Sequence, residues 1–298
     1  MNRPGSLKWR WRRFCAMPWR EVAYRGWQWA MAKEVRRRIL EETLPAPLTE
    51  VVAGADTVVG RLPGRAEGLT VSAEYMEEIM AAGDEVCAHR AELFGRTVVL
   101  GEEVDWYRDY LHGECYPRVA WWEIDYRRED GGVDVMAVWW LNRHQHLMPA
   151  AIAYYVTGNE GYAEEVLKQL ESWLTACEYP YGPGWLTGIE VGVRLVTWSW
   201  LYRFLFGRGR PRCCHDTMLF AWFRAIRQHV RYIMTHWARY SSANNHVIAE
   251  AAGVLSAMAT WPVLFGGKRE WGRAMKILER EVRRQVSGDG VDLEQSTS

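Results

Sequence analysis

The stretch from Gly188 to Phe206 constrains this chain most. Val191, Val193, Leu195, Val196, Trp198, Trp200 and Leu201 run round every side of a helix there. A helix apolar all round has no face to give to water, so other helices must enclose it. The neighbouring periodicity supplies them, predicting helices over 142–157, 160–177, 187–206, 215–238, 245–260 and 269–286. Short breakers divide them: Thr157-Gly158-Asn159, the Pro- and Gly-rich run from Tyr179 to Gly184, Gly207 to Pro211, Ser241-Ser242, and Trp261 to Gly267. Consecutive helices with short connections stack as αα-hairpins. The expected architecture is all-α, an (α/α) toroid or barrel whose inner helices are covered by outer ones. Upstream, a helix is expected over 17–41 and another from Ser72, a good N-cap, to Leu93. Residues 46–70 read as loop with a short strand, and 95–135 as irregular chain rich in rings.

Charge and cysteine usage exclude several classes. Lys and Arg number 37 against 37 Asp and Glu, without the basic excess of a dedicated nucleic-acid binder. No stretch reaches the roughly 18 apolar residues of a transmembrane span. The six cysteines form no C-x-x-C pair, and no histidine stands at zinc-module spacing, so neither metal nor cofactor is expected. The thiols are expected to be free and mostly buried. The basic N-terminus lacks the apolar core of a signal peptide, so a cytoplasmic location is expected. Tryptophan is abundant, 18 residues with 14 Tyr and only 7 Phe, a mixture that suits apolar but wet surfaces such as carbohydrate clefts, although most of these rings are expected to be packing.

Four segments put polar groups where a simple core would not want them. In Trp139-Trp140-Leu141-Asn142-Arg143-His144-Gln145-His146, Asn142 and His146 share a helical face with Arg143 beside them. His144 and His146 point apart, which disfavours a shared metal. In Trp185 to Arg194, Glu190 and Arg194 stand one turn apart inside a very apolar helix, as an internal ion pair or as ligands for a substrate. Ser241-Ser242-Ala243-Asn244-Asn245-His246 opens a further helix, where two amides and an imidazole form a cap or an anion site. The fourth is the run Ser287 to Ser298.

Taken in order, the motifs are specific. W-x-L-N-R-H-Q-H is followed by T-G-N-E-x-Y-A-E-E, L-E-S-W, G-I-E-V-x-x-R-L, S-S-x-N-N-H-x-I-x-E-A-x-G and D-G-x-x-x-E-Q-S. This series, over residues 139–298, resembles the heparinase II/III-like polysaccharide lyases, and Pro18 to Arg25 is similar to the family's N-terminal helix. The resemblance implies an N-terminal (α/α) toroid joined to a C-terminal β domain, with the substrate between them. The expected division is an N-terminal helix and loop over 1–70 and an incomplete toroid over 71–298, with the β domain absent.

The reaction implied is β-elimination at a uronic acid in an acidic polysaccharide. It requires neutralising the sugar carboxylate, removing the C5 proton and protonating the leaving oxygen. By resemblance Asn245 neutralises the carboxylate and His246 transfers a proton or orients a partner. The family's catalytic Tyr would follow the E-Q-S run, and a further His belongs to the β domain; the fragment alone is therefore expected to be inactive. Trp139, Arg143, His146, Trp185, Glu190, Arg194 and Asn244 are the candidates for shaping the sugar subsites. Export of many relatives makes the periplasm the alternative location. Two other readings are a non-catalytic module that binds acidic glycans or a partner domain, and a glycoside hydrolase using Glu190 and Glu250.

Overall fold

A computed structural model describes residues 15, 17–59, 72–126, 134–240 and 243–291. Ser241, Ser242 and the E-Q-S run at 294–296 lie outside them. Ten α-helices, one small hairpin and a few single-turn 3-10 helices make up the regular structure of the described residues. The helices are α1 (Trp19–Leu40), α2 (Leu48–Val59), α3 (Ala73–Cys87), α4 (Val135–Asn142) and α5 (Met148–Thr157), followed by α6 (Glu160–Ala176), α7 (Gly188–Phe206), α8 (Asp216–His236), α9 (Asn245–Thr260) and α10 (Lys268–Gln285). The chain is an all-α, toroid-like array of stacked hairpins.

The helix α7 is enclosed as its composition requires. It packs against α5, α8 and above all α9. Val191, Leu195, Trp198, Leu201, Tyr202 and Leu205 are fully buried round its circumference, while Trp200 keeps 44% of its surface on the single open side. Each such aliphatic side chain contributes roughly 1.5–3 kcal/mol on burial. Contact with α9 is backbone to backbone. A Cβ on Gly192 would stand 2.5 Å from the Ala249 carbonyl oxygen, and one on Gly253 would stand 2.4 Å from that of Gly192. The paired glycines let the two axes approach more closely than any side chain permits.

Several boundaries differ from the sequence expectation. Residues 48–59 form α2 rather than loop, because Leu48, Val51, Val52 and Ala55 recur at helical spacing, and Val51 and Ala55 are fully buried. The helix that Ser72 caps, accepting from the Tyr75 amide at 3.2 Å, ends at Cys87 instead of Leu93. The chain turns there into an antiparallel pair, β1 (Arg90–Leu93) and β2 (Arg96–Val99), joined by Phe94 and Gly95, both at positive φ. The helix expected over 142–157 is split. α4 ends at Asn142, and His144 adopts φ +62 before α5 begins. That break seats the His144 ring against Trp106, Trp173 and Trp198, where its Nδ1 accepts the Trp198 indole N–H at 2.8 Å.

The cysteines are free, as expected, but only Cys177 and Cys214 are buried; Cys15, Cys87 and Cys115 are exposed. Trp106, Trp173, Trp185, Trp198, Trp222 and Trp261 are fully buried, so much of the tryptophan is indeed core. No helix of the described residues is long and apolar enough to cross a membrane.

Candidate functional site

Two cavities meet at the segment from Trp237 to Tyr240 that links α8 to α9. The first, of about 450 Å³, takes its walls from α1, the 3-10 turn at Trp121, the start of α7, the end of α8 and the first turns of α9. His246 opens into it, with Tyr126, Trp121, Tyr232, His236 and Glu250 around it and Arg36 and Arg239 bringing positive charge. Local geometry fixes this lining. Tyr232 and His236 are one turn apart on α8 and stack at 4.6 Å, and Trp121 meets both edge-on near 6.1 Å. The His236 Nδ1 is tied to the Tyr232 carbonyl at 3.0 Å; burial, to which the Arg36 charge adds, holds the ring below the usual histidine range. α1 is anchored across more than two hundred residues by the Tyr24 hydroxyl, which donates to the Trp237 carbonyl at 3.0 Å.

Glu250 is the buried acid of the cleft. It lies one turn after His246 on α9, 1% exposed, and accepts from the Ala238 amide at 2.8 Å. A Cβ on Gly188 would stand 2.0 Å from its Oε1, so the carboxyl rests on the backbone at the start of α7. Burial pushes its pKa up to about 8, against the lowering effect of the Ala238 amide. Glu250 thus ties α9 to the Trp237–Tyr240 link and to the start of α7. The Thr187 hydroxyl and the Trp237 indole N–H also line it, and neither finds a hydrogen-bond partner among the described residues.

The candidates named from sequence separate into two groups. Asn244, at the N-cap position of α9, and Asn245 are exposed, and His246 is half-buried in the cleft wall. Asn244 makes no side-chain capping bond to the helix. The others do not line the cleft: Trp139, Trp185, Glu190 and Arg194 are buried, and Arg143 and His146 partly so. Arg143 grips Glu190 through two bonds of 2.8 and 2.9 Å. Arg194, fully buried, donates to His229 Nε2, the Asn142 carbonyl and the Gly184 carbonyl, each at 2.9 Å. The expected one-turn pairing within α7 therefore gives way to a longer-range one, because the Arg143 fork reaches Glu190 from the end of α4. His146 meets Gln169 at 3.1 Å, and burial lowers its pKa to about 4.

Trp139 donates to the Pro183 carbonyl at 2.9 Å and touches the cleft only through Tyr126, 5.7 Å from its ring. Trp185 is 1% exposed, its N–H held by the Cys177 carbonyl at 2.9 Å. Rings that do face the cavity are Trp29, 84% exposed, with Tyr24, Trp121 and Tyr126. Sequence reasoning missed Arg36, Tyr232, His236 and the α1 rings. The one-turn spacing of Tyr232 and His236 at the end of an amphipathic helix was the available signal. Among the described residues no group of three or more His, Cys, Asp or Glu side chains could hold a metal.

A toroid-like helical array with this motif series defines a recognisable class. Residues 89–298 match the family model for the heparinase II/III N-terminus, and the chain belongs to that family. The heparin-sulfate lyase of Pedobacter heparinus is 26% identical over 165 residues, covering 53% of this chain and 24% of the relative. Crystal structures of heparan sulfate lyase HepC from the same organism share the fold. The first superposes with a TM-score of 0.55 at 18% identity, over 82% of this chain and 34% of HepC; a mutant form gives 0.57 at 19%, over 83% and 35%. The chain thus spans about a quarter to a third of the length of these relatives.

Proposed function

We propose that this chain supplies the helical, glycan-holding part of a polysaccharide lyase that cleaves uronate-containing acidic glycans by β-elimination. One observation carries the reading: His246 opens into an aromatic-walled, cation-bearing cleft from the same helix N-terminus that presents Asn245. Family membership and the heparin-sulfate lyase relative support it.

The C5 proton of a uronate is weakly acidic, because removing it places a second negative charge beside the carboxylate. Amide donation from Asn245, aided by the positive end of the α9 dipole, offsets that charge as it develops. His246 moves a proton or orients the group that does. Trp29, Trp121 and Tyr126 offer ring faces for the apolar sides of the sugars, and Arg36 and Arg239 hold the anionic groups.

The test is calorimetric titration of the 298-residue chain with heparan sulfate, alginate and hyaluronan oligosaccharides, alongside an ultraviolet assay for the unsaturated uronate. Saturable binding to at least one of them, weakened in Asn245→Ala and His246→Ala, is expected. Absence of binding to all three, or binding indifferent to both substitutions, overturns the reading. Cleavage without the unsaturated chromophore replaces elimination with hydrolysis.

A further inference from the structure

The larger of the two cavities, about 1310 Å³, is a groove between α10, the start of α1, the residues from Trp237 to Tyr240, and Ala243 and Val247. It shares Glu21, Trp237, Ala238, Arg239 and Tyr240 with the cleft that holds His246, so the two form one continuous depression. Its charge is far from that of the whole chain, which sums to zero. α10 alone contributes Lys268, Arg269, Arg273, Lys276, Arg280 and Arg284 to the lining, and Arg239 stands opposite. The acidic residues in the wall are Glu21, paired with Arg25, and Glu281, paired with Arg280 and near Arg284. Arg269, Arg273 and Lys276 form no ion pair with a carboxylate of the described residues.

Spacing matters as much as sign. Residues 269, 273, 276 and 280 recur at four, three and four positions, which sets them in a row along one helical face. Successive members are one turn apart, about 5.4 Å along the axis. The floor beneath is apolar, with Ala243, Val247 and Ile277. Burial lowers the pKa of Arg273, and Arg239 and Arg269 add to the effect by crowding it with like charge. Such a row, in which Arg280 pairs with Glu281 while Arg269, Arg273 and Lys276 have no carboxylate partner among the described residues, is complementary to a polymer that repeats its anionic groups.

We propose that the α10 groove is a remote binding surface for a sulfated glycan chain whose cleaved linkage lies in the His246 cleft. The assignment rests on the glycan reading of that cleft, because continuity with it favours a glycan over other polyanions. Sulfate monoesters stay ionised across the working pH range, and guanidinium forks bind such oxyanions in two-point fashion. A carboxylate-only glycan of the same length presents fewer charges to the row and is held less tightly.

The experiment uses the 298-residue chain, the triple variant Arg269→Gln/Arg273→Gln/Lys276→Gln, and Arg96→Gln on the distant hairpin as a surface-charge control. The probes are a sulfated uronate disaccharide, a long sulfated oligosaccharide, a desulfated oligosaccharide of equal length, single-stranded DNA of equal charge, and phosphatidylserine vesicles. The triple variant is expected to lose about tenfold or more in affinity for the long sulfated probe, a difference that shrinks as salt rises, while disaccharide binding is unchanged. Arg96→Gln should match the wild type.

Equal affinity of wild type and triple variant for the long sulfated probe overturns the proposal. So does wild-type binding of DNA or vesicles as tight as that of the sulfated glycan. The cleft reading fails separately, when the disaccharide does not bind or when His246→Ala leaves its binding unchanged.

Discussion

Arg143 and Glu190 close a two-point ion pair, at 2.8 and 2.9 Å, between the end of α4 and the first turn of α7. The Glu190 side chain is 1% exposed and that of Arg143 12%, so the pair is largely withdrawn from water. Removing one partner strands a buried charge, which costs about 3–5 kcal/mol. Glu190→Ala is expected to lose that much stability in urea denaturation. Arg143→Met/Glu190→Leu should recover most of it, because the stranded charge is gone. A double variant no more stable than Glu190→Ala would show that the pair contributes more than mutual neutralisation.

The crossing of α7 and α9 predicts opposite effects for two chemically identical substitutions. Gly192→Ala drives a methyl group against the Ala249 carbonyl, which is backbone and cannot swing aside, so the helices must separate. Overpacking of this kind costs about 1–3 kcal/mol. Gly26 lies inside the exposed face of α1, where an added methyl group would meet nothing within 4 Å. Gly26→Ala should therefore stabilise by about 0.5–1 kcal/mol through helix propensity. Melting temperatures of the two variants should move in opposite directions.

Glu250 makes stability depend on pH in an unusual direction for an acid. Its folded pKa of about 8 lies above the ordinary glutamate value, so between the two the folded chain holds a proton that the unfolded chain has released. Its contribution is fully present below the unfolded pKa and is lost as pH rises through 8. Glu250→Gln keeps a carbonyl oxygen for the Ala238 amide and should flatten that part of the profile. Denaturation midpoints across this range, in wild type and variant, provide the check.

The buried histidines give the opposite slope in acid. Burial lowers the pKa of His144, His146 and His229, with the Arg194 charge adding to the effect at His144 and His229. Their folded values lie below the unfolded one, so the stability they contribute is present above about pH 6.5 and disappears as pH falls through the folded values. For His146 that fall reaches about pH 4. His146→Gln should lessen acid destabilisation relative to wild type when midpoints are followed downward from neutrality.

Particular residues mark where sequence reasoning stops. From Glu160 onward the helices follow the periodicity closely, since strongly patterned segments with Gly and Pro breaks leave little freedom. The hairpin at Phe94-Gly95 and the break at His144 depend on positive φ, which Phe and His usually avoid, and packing partners distant in sequence decide both. At the candidate site, Asn245 and His246 stood out in the sequence because one motif presents them together. Arg36, Tyr126 and His236 were not, because their convergence exists only after α1, the Trp121 turn and α8 have docked. Arg143, Glu190 and Arg194 were visible as unusual polar groups, yet only geometry shows which partner each one takes.

The bond from Tyr24 to Trp237 has a consequence for the order in which the molecule comes together. It joins positions 213 apart, so the cleft closes one of the longest loops in the chain. The entropy of that closure must be overcome before its contacts are gained, so the cleft is expected to form late in folding. Mutations in α1 should then chiefly accelerate unfolding while leaving the rate of assembly of the α5–α9 core nearly unchanged.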